Sequence, residues 1–182
     1  MELSCWRTCR YWVRYYLGAR IKMMTDSWLA RSAPKQLVHG FFLIDFSGDD
    51  ASEERFAILK QALRLIEYYD PLRYRSLQSN IHRIIVSDGI PMGAAFFLGT
   101  SACTVHPGLL KSGSATVATA LVHEATHARL DRLRIRQDRD RHARIEALCM
   151  SQEIAFAYHF PETREMNEWI QRMMSHIARL EE

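Results

Sequence analysis

The chain contains His123-Glu124-Ala125-Thr126-His127, two histidines four residues apart with a glutamate directly after the first. On a helix that spacing puts both imidazoles about one turn apart on one face, where they can share one divalent ion. Glu124 is rotated from His123 by about 100° at 3.6 residues per turn. It can therefore reach a water on the ion without being a ligand. Zinc lowers the pKa of such a water, and a carboxylate beside it can take the proton. The flanks suit a helix: Leu121 and Val122 are apolar, Ala125 and Thr126 are small, and no glycine or proline interrupts Ala120–Leu130.

A catalytic zinc has three protein ligands and one open position, so a third must come from elsewhere. A metzincin would place glycine and histidine three and six residues after the second motif histidine. Leu130 and Leu133 stand there, which excludes that class. Downstream candidates are Glu146, Glu153, His142 and the Asp138/Asp140 pair. A turn after the first helix and a second helix returning beside it would bring Glu146 to the histidines. Ile145, Leu148, Gln152, Ala155 and Phe156 supply the core stripe of that second helix, and Glu146 borders it. Glu153, seven residues on, and His142, one turn earlier, lie on nearly the same face. Spacing and helix geometry favour Glu146 as the third ligand, with Glu153, His142 and an aspartate as alternatives.

HExxH followed after eighteen intervening residues by Glu146 resembles the gluzincin class of zinc metallopeptidases. More closely, Leu121–Leu130 together with Arg144-Ile145-Glu146-Ala147 resembles a group of small, mostly uncharacterised bacterial proteins of zincin type. The resemblance covers about residues 117–160. It implies a zincin-like fold, His123, His127 and Glu146 as zinc ligands, Glu124 as general base, and a strand along the cleft for substrate pairing. Many gluzincins carry an acidic residue four positions after the glutamate ligand to orient a histidine. This chain has Met150 there, and Arg129 at a position that is usually apolar.

The elements that position these residues follow from periodicity. Leu37–Phe46 is apolar and rich in β-formers, which predicts a buried strand. Asp50 followed by Glu53 resembles a capping box, and Phe56, Leu59, Leu63 and Ile66 recur at helical spacing until Pro71 stops the helix. Ile81–Val86 reads as a second strand. Ala94–Val105 reads as extended, with Gly99 as a bulge, and pairs antiparallel with it. Helices follow over about 116–133 and 143–158. A last one, opened by Pro161, carries Met166, Trp169, Ile170, Met173, Ile177 and Leu180 on one face. The order predicts an α+β domain with helices around a small, mainly antiparallel sheet.

Residues 1–34 read as a basic, aromatic helical extension and residues 35–182 as a single metallohydrolase domain. The extension carries Trp6, Tyr11, Trp12, Tyr15, Tyr16 and Trp28 among Arg7, Arg10, Arg14, Arg20 and Lys22. It suits docking on the domain, or peripheral contact with an anionic membrane through residues 1–30. Arg14, Arg20 and Lys22 interrupt any secretory pattern.

The chain has 182 residues, 48% apolar and 25% charged, and a net charge of +3. Disorder and collagen-like repetition are excluded. No apolar run approaches the ~20 residues that span a bilayer. Seven arginines against three aspartates between Arg129 and Arg144 make a solvated basic surface. No aromatic residue interleaves them, so nucleic acid is not an expected partner. Cys5, Cys9, Cys103 and Cys149 are too scattered for a disulfide framework, which predicts reduced thiols and a cytoplasmic setting. Cys103 and Cys149 read as small buried apolar residues.

The expected activity is zinc-dependent hydrolysis of a peptide or protein substrate. His142, Tyr158, His106, His159 and several arginines are candidate donors to the oxyanion, and His142 is preferred because it shares a face with Glu146. The alternatives are a zinc-binding interaction protein without catalysis, and hydrolysis of a non-peptide amide.

Overall fold

A computed structural model describes residues 33–135 and 139–160. The helical extension expected at the N-terminus, the helix expected after Pro161, Asp138 and the side chain of Asp140 lie outside the described residues. The described elements are β1 (Lys35–Val38), β2 (Phe41–Asp45), α1 (Ser52–Tyr69), α2 (Pro71–Asn80), β3 (Arg83–Val86), β4 (Ala94–Phe97), β5 (Ala102–Val105), α3 (Pro107–Leu110), α4 (Ser114–Arg132) and α5 (Arg139–Ala157). Among the described residues, no helix is long and apolar enough to cross a membrane.

The fold is α+β with one five-stranded sheet in the order β1-β2-β3-β5-β4. The sheet is mixed rather than mainly antiparallel. β1 pairs antiparallel with β2, and β4 with β5, while β2–β3 and β3–β5 are parallel. The antiparallel partner expected for Ile81–Val86 is therefore wrong. β3 lies parallel to β5, and β4 turns back outside β5 to become the sheet edge.

The expected single strand over Leu37–Phe46 is a hairpin. Val38 pairs with Phe41 across His39 and Gly40, whose φ values are +49° and +87°. Two residues at positive φ give the turn whose twist matches the flanking strands. Likewise Leu98–Ser101 closes the β4–β5 hairpin, with Phe97 paired to Ala102, so Gly99 sits in a turn and not in a bulge.

The expected Asp50–Glu53 capping box is absent. Ala51 is the N-cap of α1, with no side-chain cap. A cap contributes about 1 kcal/mol. Burial of Phe56, Leu59, Leu63 and Ile66 contributes about 2 kcal/mol each, so the apolar stripe decides that this helix forms. Pro71 ends α1 as expected but also opens α2. Asp70 caps that helix by accepting the Arg73 N–H at 2.9 Å, and Pro71 occupies the first turn, where no N–H is needed.

Alternate residues of the strands, Phe41 and Leu43, Ile84 and Val86, Cys103 and Val105, and Phe96, share one core with Leu59, Leu63, Leu77, Val117 and Leu121 from α1, α2 and α4. This core fixes α4 beside β4. A smaller cluster of Leu130, Ile145 and Cys149 joins α4 to α5.

Candidate metal centre

α4 buries Leu121, Val122, Ala125 and Ala128 and turns His123 and His127 toward α5. The two Nε2 atoms are 3.2 Å apart. Glu146 of α5 reaches both: its Oε2 is 3.6 Å from His123 Nε2 and its Oε1 is 3.3 Å from His127 Nε2. His123 meets Glu153 as well, Nδ1 to Oε2, at 2.9 Å. The earlier histidine thus reaches the later glutamate, so the helices run antiparallel and the chain returns as the spacing predicted.

Four nitrogens or oxygens held at ~2.0–2.1 Å around a tetrahedral ion lie about 3.3 Å from one another. The 3.2 Å between the two histidine nitrogens, and the 3.6 and 3.3 Å from them to the two separate oxygens of Glu146, are close to that edge. The donor atoms of His123, His127 and Cys149 also lie within 4.8 Å of one another. The two histidines could hold a metal ion together with Glu146 or with Cys149.

The electrostatics point the same way. Burial pulls the His123 imidazolium down, but its bonds to Glu146 and Glu153 and the charge of Glu124 outweigh that and push it up to about 10. Burial raises Glu146, yet the facing imidazoles of His123 and His127 hold it well below the usual carboxylate range. Three carboxylates facing two imidazoles favour positive charge between them, which a divalent cation would supply. Burial pushes the Cys149 thiol up, and the charges of Glu146, Glu124 and Glu153 push it further.

Glu124 is buried beside this cluster, and its Oε2 accepts the Phe96 N–H of β4 at 2.6 Å. Burial raises its pKa, and the charges of His123 and His127 and the Phe96 N–H offset that only in part. Gly93 and Phe97 turn their carbonyls inward, to His106 and Thr100. By alternation, Ala94 and Phe96 present their backbone groups to the outer edge of β4, which pairs with no further strand among the described residues.

His142 is more than half exposed, with Nδ1 3.8 Å from Glu146 Oε1. Two other candidate donors are occupied elsewhere. His106 caps α3 through Nδ1, which accepts the Gly108 N–H at 2.9 Å. His159 stacks on Tyr69 with ring centroids 5.0 Å apart. Tyr158 is exposed near the end of the described chain.

Sequence reasoning ranks Glu153 only as an alternative ligand, whereas the structure puts it behind His123. Its position two turns after Glu146, on the same helix face, is the available signal. The pairing of Glu124 with the Phe96 amide has none, because a backbone donor leaves no trace in residue type. No protein family matches the chain, and no curated protein or solved structure does so.

Proposed function

We propose that this protein is a zinc-dependent hydrolase of zincin-like architecture, acting on peptide bonds. The observation that carries the reading is the convergence of His123 Nε2, His127 Nε2 and the Glu146 carboxylate at 3.2–3.6 Å, with the glutamate of the HExxH motif beside them. These three residues would hold the ion. Zinc would supply Lewis acidity there, polarising a carbonyl and lowering the pKa of a water.

The other roles belong to the chain. Glu124 takes the proton of the attacking water and returns it to the leaving nitrogen. Its place directly after His123 on the helix, beside the ligands and not among them, suits both transfers. The Phe96 N–H fixes the carboxylate against the edge strand. An extended peptide laid along β4 would pair with the edge-facing backbone groups of Ala94 and with the Phe96 carbonyl, the Phe96 N–H being held by Glu124, and would bring its own carbonyl over the base. His142, exposed one turn before Glu146, would donate to the developing oxyanion.

The test is metal content followed by cleavage of an unbiased peptide pool. Zinc at unit stoichiometry, with cleavage that a chelator abolishes and added zinc restores, supports the reading. Zinc without cleavage favours a metal-binding module. Absence of zinc affinity retires both.

A further inference from the structure

We infer that Cys149 is a fourth ligand of this centre, so that a borderline-soft divalent ion is enclosed by two histidines, a glutamate and a thiolate. The inference rests on the metal reading above and adds a regulation of the site.

The two cysteines of the described core differ in their surroundings. Cys103 belongs to the main core, between the sheet and the helices. Cys149 belongs to the small cluster with Leu130 and Ile145, which lies between the two ligand-bearing helices. It follows Glu146 by one turn of α5, faces α4, and is fully buried and not in a disulfide. Its sulfur is within 4.8 Å of the donor nitrogens of both histidines. A tetrahedral ion with arms of ~2.05 Å to nitrogen and ~2.3 Å to sulfur sets those atoms about 3.6 Å apart. At most about 1.2 Å separates each sulfur–nitrogen distance from that value.

The chemistry is balanced without electron transfer. The S–H bond breaks, the sulfur–metal bond forms, and the thiol proton passes to solvent. A fourth protein ligand fills the position that a catalytic ion leaves open. Cys149 and substrate then compete for one place. The thiolate strengthens metal retention and restrains turnover. It also biases the centre toward Zn²⁺, Co²⁺ or Cd²⁺ and against Mg²⁺ and Mn²⁺.

The test uses the full chain, stripped with a chelator and titrated with Co²⁺. The expected result is a thiolate-to-cobalt charge-transfer band in the near ultraviolet beside the visible ligand-field bands. Cys149→Ser removes the charge-transfer band and leaves the visible ones. A Cys5→Ser/Cys9→Ser/Cys103→Ser variant, in which Cys149 is the remaining thiol, keeps both and does not depend on the folding of the Cys149 variant. Ligand-field bands without charge transfer in the natural chain overturn the inference and leave the three-ligand centre standing. Loss of the charge-transfer band in the triple variant overturns it as well, by assigning the band to another cysteine. Failure to bind cobalt at all overturns the metal reading itself.

Discussion

Glu153 Oε2 lies 2.9 Å from His123 Nδ1, on the opposite side of the ring from the nitrogen that faces His127 and Glu146. A carboxylate there accepts the Nδ1–H. It thereby selects the tautomer with a lone pair on Nε2 and fixes the plane of the ring. A histidine offered to a metal needs both.

Replacing Glu153 should therefore weaken metal binding without abolishing it. Glu153→Gln keeps an acceptor but loses the charge, and a loss of about 10-fold in zinc affinity is expected. Glu153→Ala loses both, with an expected loss of up to ~100-fold. Competition with a chromogenic chelator measures each. Unchanged affinity in Glu153→Ala would show that the ring is held by its neighbours alone.

Glu146→Ala should cost more than Glu153→Ala, well beyond ~100-fold, because it removes a ligand and not the support of one. The same chelator competition decides. Equal losses, or a larger loss at Glu153, would exchange the two assignments.

The helices of the centre are legible because HExxH spacing is itself a helical repeat and the stripe of α5 is long. The His39-Gly40 turn is hidden, since apolar residues continue on both sides and only two left-handed residues separate the strands. Pro71 is ambiguous by nature: the missing N–H that ends one helix is harmless in the first turn of the next. The order β2-β3-β5 joins residues remote in sequence, such as Phe42 with Arg83, and no local pattern encodes it. Glu153 illustrates the limit within the site. Its helix face can be read from the sequence, but which histidine nitrogen it meets depends on how far α5 slides along α4.

Glu124→Gln should retain metal and lose hydrolysis. The glutamine oxygen still accepts the Phe96 N–H, so the edge strand and α4 keep their contact. What disappears is the group that takes and returns the proton, expected to lower kcat by ~10²–10⁴. Zinc content and peptide cleavage, measured on the same preparation, check the two halves separately. A fall in zinc comparable to that of His123→Ala would mean that Glu124 is a ligand.

Asp45 should govern how the fold responds to acid. It ends β2 fully buried, accepting the Ser47 N–H at 2.9 Å and the Arg55 Nε–H at 2.7 Å, while Arg55 also pairs with Asp49. Burial raises the Asp45 carboxyl, but the bonds from Ser47, Arg55 and Ser52 outweigh it and leave the pKa below its ordinary value. A folded pKa below the unfolded one stabilises the native state above roughly pH 4, and that contribution is lost as the pH falls through the folded value. Arg55→Ala strands the buried carboxylate and should destabilise the protein by about 3–5 kcal/mol at pH 7. Asp45→Asn removes the titrating group. Urea unfolding of the natural chain and Asp45→Asn, from pH 6 down to pH 3, should show a gap in stability that narrows below about pH 4. A gap that stays constant over that range would show that Asp45 titrates alike in the folded and unfolded chain.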